Sequence, residues 1–324
     1  MQKTLYRPVV PLARRYCGLF HLYNHPPCIP LDPTFSQRHW LSIMSVQDNH
    51  PPPTKAIFQY DESIRKHIAS ITSMRRYEVL PETEKSLFKQ AIADTWAVET
   101  NETIFYAQGG GQPFDTGYMS PVDANQKEIK FIVDAVRSGV EGVGRIIHFG
   151  HFDEDGSSLA MGDMIQQHID GARRDLNSRI HTAGHTVSLA VRRLAETTPD
   201  LNVTDGFKAQ HYPDVAYVDF QGTIDPKFKY AIYDQSNKFV RDALPINVYW
   251  CKPDELEKND VIAIEGMPVI AGFDGKTRIV DIVGAGAYPC GGTHVPDTSL
   301  VGEIKIKSMK TKKGITKIAY EVAP

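Results

Sequence analysis

Asn177-Ser-Arg-Ile-His-Thr-Ala-Gly-His-Thr-Val-Ser-Leu-Ala-Val-Arg-Arg-Leu-Ala-Glu196 brings Ile180, Ala183, Val187, Val191 and Leu194 round at helical spacing, and Pro199 follows its end. The pattern predicts a helix from about Asn177 to Glu196. Within it, His181 and His185 stand four residues apart. Four residues turn a helix by about 400°, so both imidazoles leave from nearly the same side. Two ligands of one metal need that geometry, although a histidine pair at this spacing is more often an ordinary part of a helix surface.

A second pair lies about a hundred residues on. Cys290-Gly-Gly-Thr-His294 sets a thiol four residues from an imidazole, across residues that favour a turn over a helix. Neutral imidazole and thiolate are preferred zinc ligands, and four of them close a tetrahedron. Such distant pairs are no short zinc finger, so the fold itself must join them. Without a metal, Cys290 is a small buried hydrophobe and His294 a loop residue. A zinc protease helix would carry a glutamate directly after the first histidine; Thr182 stands there, which argues against proteolysis.

The third element is Gly109-Gly-Gly-Gln-Pro-Phe-Asp-Thr-Gly117. Three glycines allow positive φ and a close approach to a ligand. No Gly-Lys-Ser/Thr follows and the dinucleotide spacing is absent, so this is not a nucleotide-phosphate loop of those types. Its plain structural reading is a tight hairpin between strands.

Around these elements the chain divides. From Lys55 to about Phe152, short β-type runs alternate with turns, among them Ala56–Tyr60, Thr103–Tyr106 and Lys130–Val133, with one helical segment from Pro81 to about Ile92. That predicts a small, mostly antiparallel barrel or sandwich, ending at a loop over Asp153–Ser158. The second half is α+β. Tyr217–Phe220 alternates as a strand, Asp225–Leu244 reads as a helix stopped by Pro245, and Gly302–Val322 reads as a hairpin turning at Lys312-Lys313-Gly314. Three segments are expected: an extension over 1–54, a barrel over 55–158 holding the glycine-rich loop, and a zinc-binding α+β part over 159–324.

The extension has Lys3, Arg7, Arg14 and Arg15 and no acid before Asp32, as a mitochondrial presequence would, but Pro8, Pro11, Pro26, Pro27 and Pro30 break any amphipathic helix. Targeting by residues 1–43 and a dispensable extension ahead of Met44 are the two readings; Pro51-Pro52-Pro53 marks the boundary. The chain has 324 residues, 41% apolar and 23% charged, and a formal charge of −3. That composition is ordinary for a soluble globular protein. The charge excludes bulk electrostatic wrapping of DNA, so RNA contact must come from local basic patches. No run of about 18 apolar residues suggests a membrane span. Four scattered cysteines, Cys17, Cys28, Cys251 and Cys290, favour a reducing compartment, and a cytoplasmic location is expected.

The three motifs, together and in this order, resemble the alanyl-tRNA editing proteins, free-standing relatives of the editing domain of alanyl-tRNA synthetase. The similarity also takes in Asn101–Tyr106, Arg173–Arg179 and His211-Tyr-Pro-Asp214, and runs from about Lys55 to the C-terminus. Ala107 and Gln108 depart from it, where the family usually has proline followed by an acid or a small residue.

The resemblance implies an N-terminal β-barrel followed by the α+β domain shared by threonyl- and alanyl-tRNA synthetases. It implies hydrolysis of the ester joining serine, or glycine, to the terminal adenosine of alanine tRNA. His181, His185, Cys290 and His294 would hold Zn2+. Thr103 would recognise the serine hydroxyl, Gln112 with Gly109, Gly110 and Gly111 would shape the pocket, and Thr103 and Gln112 are the expected catalytic residues. Asp115 falls in the same motif and is grouped with the substrate-binding residues. Arg173, Arg174 and Arg179 stand where they could meet tRNA phosphates, and Lys305, Lys307, Lys310, Lys312 and Lys313 form a second basic surface or a solvated strand face. The rival reading is a non-catalytic zinc module that binds tRNA or a synthetase. A full synthetase is disfavoured, since no ATP-binding motif is seen.

Overall fold

A computed structural model describes residues 52–122, 129–140, 144–154, 159–201, 203, 205–262 and 275–323. The expected extension lies almost wholly outside these, as do Cys17, Cys28 and most of the Asp153–Ser158 loop. Residues 50–324 form one compact unit.

Its first half is a closed barrel. β1 (Lys55–Ala56) leads in, followed by β2 (Lys66–Arg76), β3 (Trp96–Thr100), β4 (Glu102–Thr103), β5 (Gly117–Pro121), β6 (Phe131–Ser138), β7 (Ile146–Phe152) and β8 (Met164–Ile169). The closed order is β2-β3-β7-β6-β5-β8, all antiparallel, while β1 pairs with β4 alongside. Alternate residues such as Ile71, Met119, Phe131, Val133 and Ile165 point inward and fill the barrel. The closing strand β8 comes after residue 158: with five strands the sheet keeps two open edges, and β8 pairs with both β2 and β5 to remove them.

Three local expectations change. Ala56–Tyr60 is a strand only as far as Ala56, because Ile57–Gln59 turn as a 3-10 helix. The Thr103–Tyr106 strand stops at Thr103. Beyond it, side chains replace ladder partners: Gln167 accepts from the Ile104 N–H, and Asp115 from the Tyr106 N–H. The helix expected over Pro81–Ile92 is one turn, α1 (Glu82–Lys85). The Tyr77 hydroxyl donates to the Lys85 and Phe88 carbonyls, which a continuing helix would need for its own ladder. Leu80 and Phe88 instead cover Ala97 and Phe149 on the outside of the barrel.

The second half is α+β. α2 (Gly171–Thr197) is capped by Asp170, whose side chain accepts from the Arg173 N–H. β9 (Gly206–Tyr212), β10 (Val215–Gln221), β14 (Ile304–Lys312) and β15 (Ile315–Val322) form one antiparallel sheet in the order β14-β15-β10-β9. α3 (Lys229–Arg241) packs with α2 on one face of it, over Val218, Ile304, Ile318 and Tyr320. β11 (Ile246–Cys251), β12 (Thr277–Ile282) and β13 (Gly286–Pro289) make a smaller sheet, reached by Leu189 and Ala190 from the opposite side of α2. The expected C-terminal hairpin is present, turning through Lys313 and Gly314 with φ of 52° and 74°. Among the described residues, no helix is long and apolar enough to cross a membrane.

Candidate metal centre and cavity

α2 runs from the barrel into the α+β half, and His181 and His185 lie at its middle. The chain after β13 turns back over them through Cys290-Gly-Gly-Thr-His294. One donor atom from each of His181, His185, Cys290 and His294 falls within 4.8 Å of the others, so the four side chains can hold one metal ion. Cys290 Sγ is 3.6 Å from His181 Nε2 and 3.4 Å from His294 Nε2. The packing needs glycine. A Cβ on Gly292 would stand 2.0 Å from the His181 ring, and one on Gly184 would stand 2.3 Å from the ring of His211.

The far nitrogens of two ligands are fixed. His181 Nδ1 donates to Gln112 Oε1 at 2.7 Å, and His294 Nδ1 meets the Thr182 hydroxyl at 3.1 Å. Such partners set the tautomer and leave Nε2 with its lone pair toward the cluster. Thr182, the residue that argued against a protease, is therefore an orienting group. His185 Nδ1 is buried with no hydrogen-bond partner, a costly state for a polar atom unless something else satisfies it.

Burial shapes the electrostatics. It pushes the His181 and His294 imidazoles well below their ordinary range, helped by the neighbouring histidines and Arg278, and pushes His185 down to about 4. It drives the Cys290 thiol up to about 11, against the pull of the Arg278 guanidinium. Neutral imidazoles suit a metal. A buried thiol acts as thiolate only when a cation compensates it, and a divalent ion among these donors supplies that charge. The donor set fits the group it would hold.

A ring of residues outside the motifs holds the Cys290–His294 loop. Arg278 is fully buried and donates to the Cys290 carbonyl at 2.7 Å, the Gly292 carbonyl at 2.9 Å and the Gln59 carbonyl at 2.9 Å. It also pairs with Glu62, whose second carboxylate oxygen accepts from the His294 N–H. His211 stacks on His181 with ring centroids 4.4 Å apart. Its Nδ1 donates to the Tyr320 hydroxyl at 2.7 Å, which in turn donates to the Ile180 carbonyl. Sequence reasoning had placed His211 only within a resembling stretch, and had not singled out Glu62, Arg278 or Tyr320.

Above the cluster opens a cavity of about 620 Å³ between barrel and α+β half. Gly109, Gly110 and Gly111 form one wall; His181, His185, Cys290 and His211 line the floor. The glycine-rich loop is indeed a tight turn, with Gly109 and Gln112 exchanging backbone hydrogen bonds and Gly110 and Gly111 at φ 52° and 80°. It also does positional work, since Gly111 accepts from the His211 N–H and leaves no room for a Cβ against Ala209.

The other expected site residues are buried or half-buried. Thr103 does not line this cavity. It is buried beside the barrel, its hydroxyl donating to His148 Nε2 at 2.8 Å and accepting from the Phe105 N–H at 3.1 Å, because His148 Nδ1 already donates to Val98. In this arrangement the hydroxyl serves the barrel and keeps one acceptor lone pair. Gln112 is buried too, and acts on His181 and on Thr293, to which its amide donates at 2.9 Å, so it is a positioning residue. Asp115 and Arg174 form a buried ion pair. Arg174 also donates to the Ile104 and Glu62 carbonyls, so neither residue faces a ligand or a phosphate. Arg173 is half-buried and packs on Phe114, while Arg179 is tied to the carbonyls of Val301 and Ala323.

Comparison with known proteins agrees with this geometry. Residues 277–318 match the threonyl and alanyl tRNA synthetase second additional domain. The chain is 30% identical over 229 residues to the alanyl-tRNA editing protein AlaX-L of Pyrococcus horikoshii, covering 70% of this chain and 51% of the relative. It is 28% identical over 228 residues to AlaX-M of Methanosarcina barkeri, covering 69% and 87%. An alanine--tRNA ligase of Methanosphaera stadtmanae is 27% identical over 263 residues, covering 78% of this chain and 27% of the ligase. The chain thus spans about half of the first editing protein and about a quarter of the ligase. Barrel, second additional domain and these relatives together make the chain a member of the alanyl-tRNA editing family.

Proposed function

We propose that the protein is a zinc-dependent deacylase acting in trans on alanine tRNA that carries serine, or glycine, in place of alanine. The observation that carries this reading is the convergence of two distant donor pairs on the floor of a cavity large enough for an aminoacyl group and its nucleoside. His181, His185, Cys290 and His294 would hold the zinc, which when bound supplies Lewis acidity or a fixed point for the substrate.

The rest falls to the chain. Gln112 and Thr182 keep two ligands in the metal-binding tautomer. The Tyr320 hydroxyl accepts a hydrogen bond from His211 Nδ1–H and so leaves Nε2 as that ring's acceptor, in a residue that lines the cavity. A water held beside that nitrogen would have an acceptor for its proton. Glycines at 109–111 and 291–292 leave the walls low and let backbone groups approach the ligand closely. An aminoacyl ester is already activated, so orientation and modest polarisation suffice. A second site for serine is useful because a synthetase pocket rejects one added hydroxyl poorly.

Deacylation of seryl-, glycyl- and alanyl-tRNA for alanine, with and without a chelator, tests the reading. Seryl ester should be hydrolysed at least about tenfold faster than alanyl ester. Chelation should remove the activity and added zinc restore it. Chelator-insensitive hydrolysis, or stability of all three esters, contradicts the proposal.

A further inference from the structure

Among the described residues, the four-stranded sheet carries its helices on one face only, and the other is open. Cross-strand register sets one row across all four strands on that face: Lys310 opposite Lys317, Lys317 opposite Asp219, and Asp219 opposite Lys208. Strands lie about 4.8 Å apart, so the row spans roughly 14 Å. The three lysines are exposed while Asp219 is buried beneath them. Like charges directly opposite each other, as at Lys310 and Lys317, destabilise a sheet. The single acid answers them weakly, with Lys317 Nζ 3.7 Å from Asp219.

Neighbouring lysines each have an acid of their own: Lys307 pairs with Glu321 at 3.0 Å, and Lys305 lies 4.0 Å from Glu303. In the adjoining row Tyr217 stands beneath Lys317, whose Nζ lies 3.2 Å from the ring centroid. The row also has a direction: Lys208 at its end lines the cavity over the metal cluster. An antiparallel sheet with helices behind and exposed basic side chains in front is a surface along which an RNA backbone can lie.

We infer that Lys310, Lys317 and Lys208 form a phosphate track that guides the 3′ end of an RNA acceptor arm across the open sheet face and into the cavity. This deepens the deacylase reading and rests on it for the identity of the RNA. The lysines of the hairpin are thereby divided: Lys310 belongs to the track, whereas Lys305 and Lys307 serve the sheet.

The test is binding of an uncharged, fluorescently labelled RNA hairpin with the acceptor-arm sequence of alanine tRNA and a single-stranded 3′ end. K208Q/K310Q/K317Q should weaken binding by about tenfold or more at low salt, and make the plot of log affinity against log salt shallower by about two. A control, K305Q/K307Q/K313Q, should cost less than about threefold. Loss confined to the row variant supports the track whether or not ester hydrolysis is detected, so failure of the deacylase reading appears separately, as intact RNA binding without hydrolysis. Unchanged affinity in the row variant, equal loss in the control, or no RNA binding by the unaltered protein overturns the track. Equally strong, row-dependent binding of a poly-glutamate peptide overturns RNA as its occupant.

Discussion

Cys290→Ala is expected to lower the rate of seryl-tRNA deacylation by at least about a hundredfold and to strip the protein of its metal, while the chain stays folded. The size follows from comparison with weaker changes. Removing an outer partner of a ligand costs about 10–100-fold in metal affinity or activity, and Cys290 is a donor itself, touching both His181 and His294. The thiol is also the only donor of the four that carries a formal negative charge when bound. Thr182→Val is the graded companion. It frees His294 Nδ1 while sparing every donor, so metal affinity should fall by about tenfold and the rate should recover at saturating zinc. Steady-state rates at several zinc concentrations separate the two. A Cys290→Ala protein that keeps its rate removes the cluster from the chemistry.

Arg174→Met is expected to reduce folding stability by about 3–5 kcal/mol, read as the shift in a denaturant titration. Arg174 is 1% exposed and its guanidinium fork holds Asp115 with two nitrogens while reaching the Ile104 carbonyl. Methionine would leave the Asp115 carboxylate buried with only the Tyr106 N–H beside it. Lysine should not restore the loss, because a point charge cannot replace a planar fork. The salt dependence of RNA binding should stay unaltered, since the side chain never reaches the surface. A change below about 1 kcal/mol, or a shallower salt dependence, would return Arg174 to the RNA-facing role first expected of it.

Arg174 also shows where the sequence was and was not legible. Its motif is readable, but an arginine next to a conspicuous histidine pair looks the same whether it meets a phosphate or neutralises an aspartate 59 residues away. Thr103 and Asp115 pose the same problem. Residue type announces a polar task, and only burial shows that the partner is internal.

The four side chains that converge were legible as candidates because their geometry is local: a four-residue step on a helix, and another across a two-glycine turn. Arg278 and Glu62 were not, since 216 residues separate them and neither sits in a periodic pattern. The α+β class followed from alternation and helical spacing, which left barrel or sandwich open; the barrel was what the resemblance implied. The short α1 followed from neither, because a hydroxyl from Tyr77 decides where that helix stops. The lysine track was half visible: alternation exposed Lys310, but register alone puts Lys317 and Lys208 in line with it.

The most direct measurement is the metal content of the unaltered protein, by elemental analysis after purification without added metal, alongside His181→Ala and His294→Ala variants. About one zinc per chain is expected in the unaltered protein and about none in either variant, as four protein donors around one ion require. A deacylase that is fully active with well under about a tenth of an equivalent of any transition metal would contradict the account.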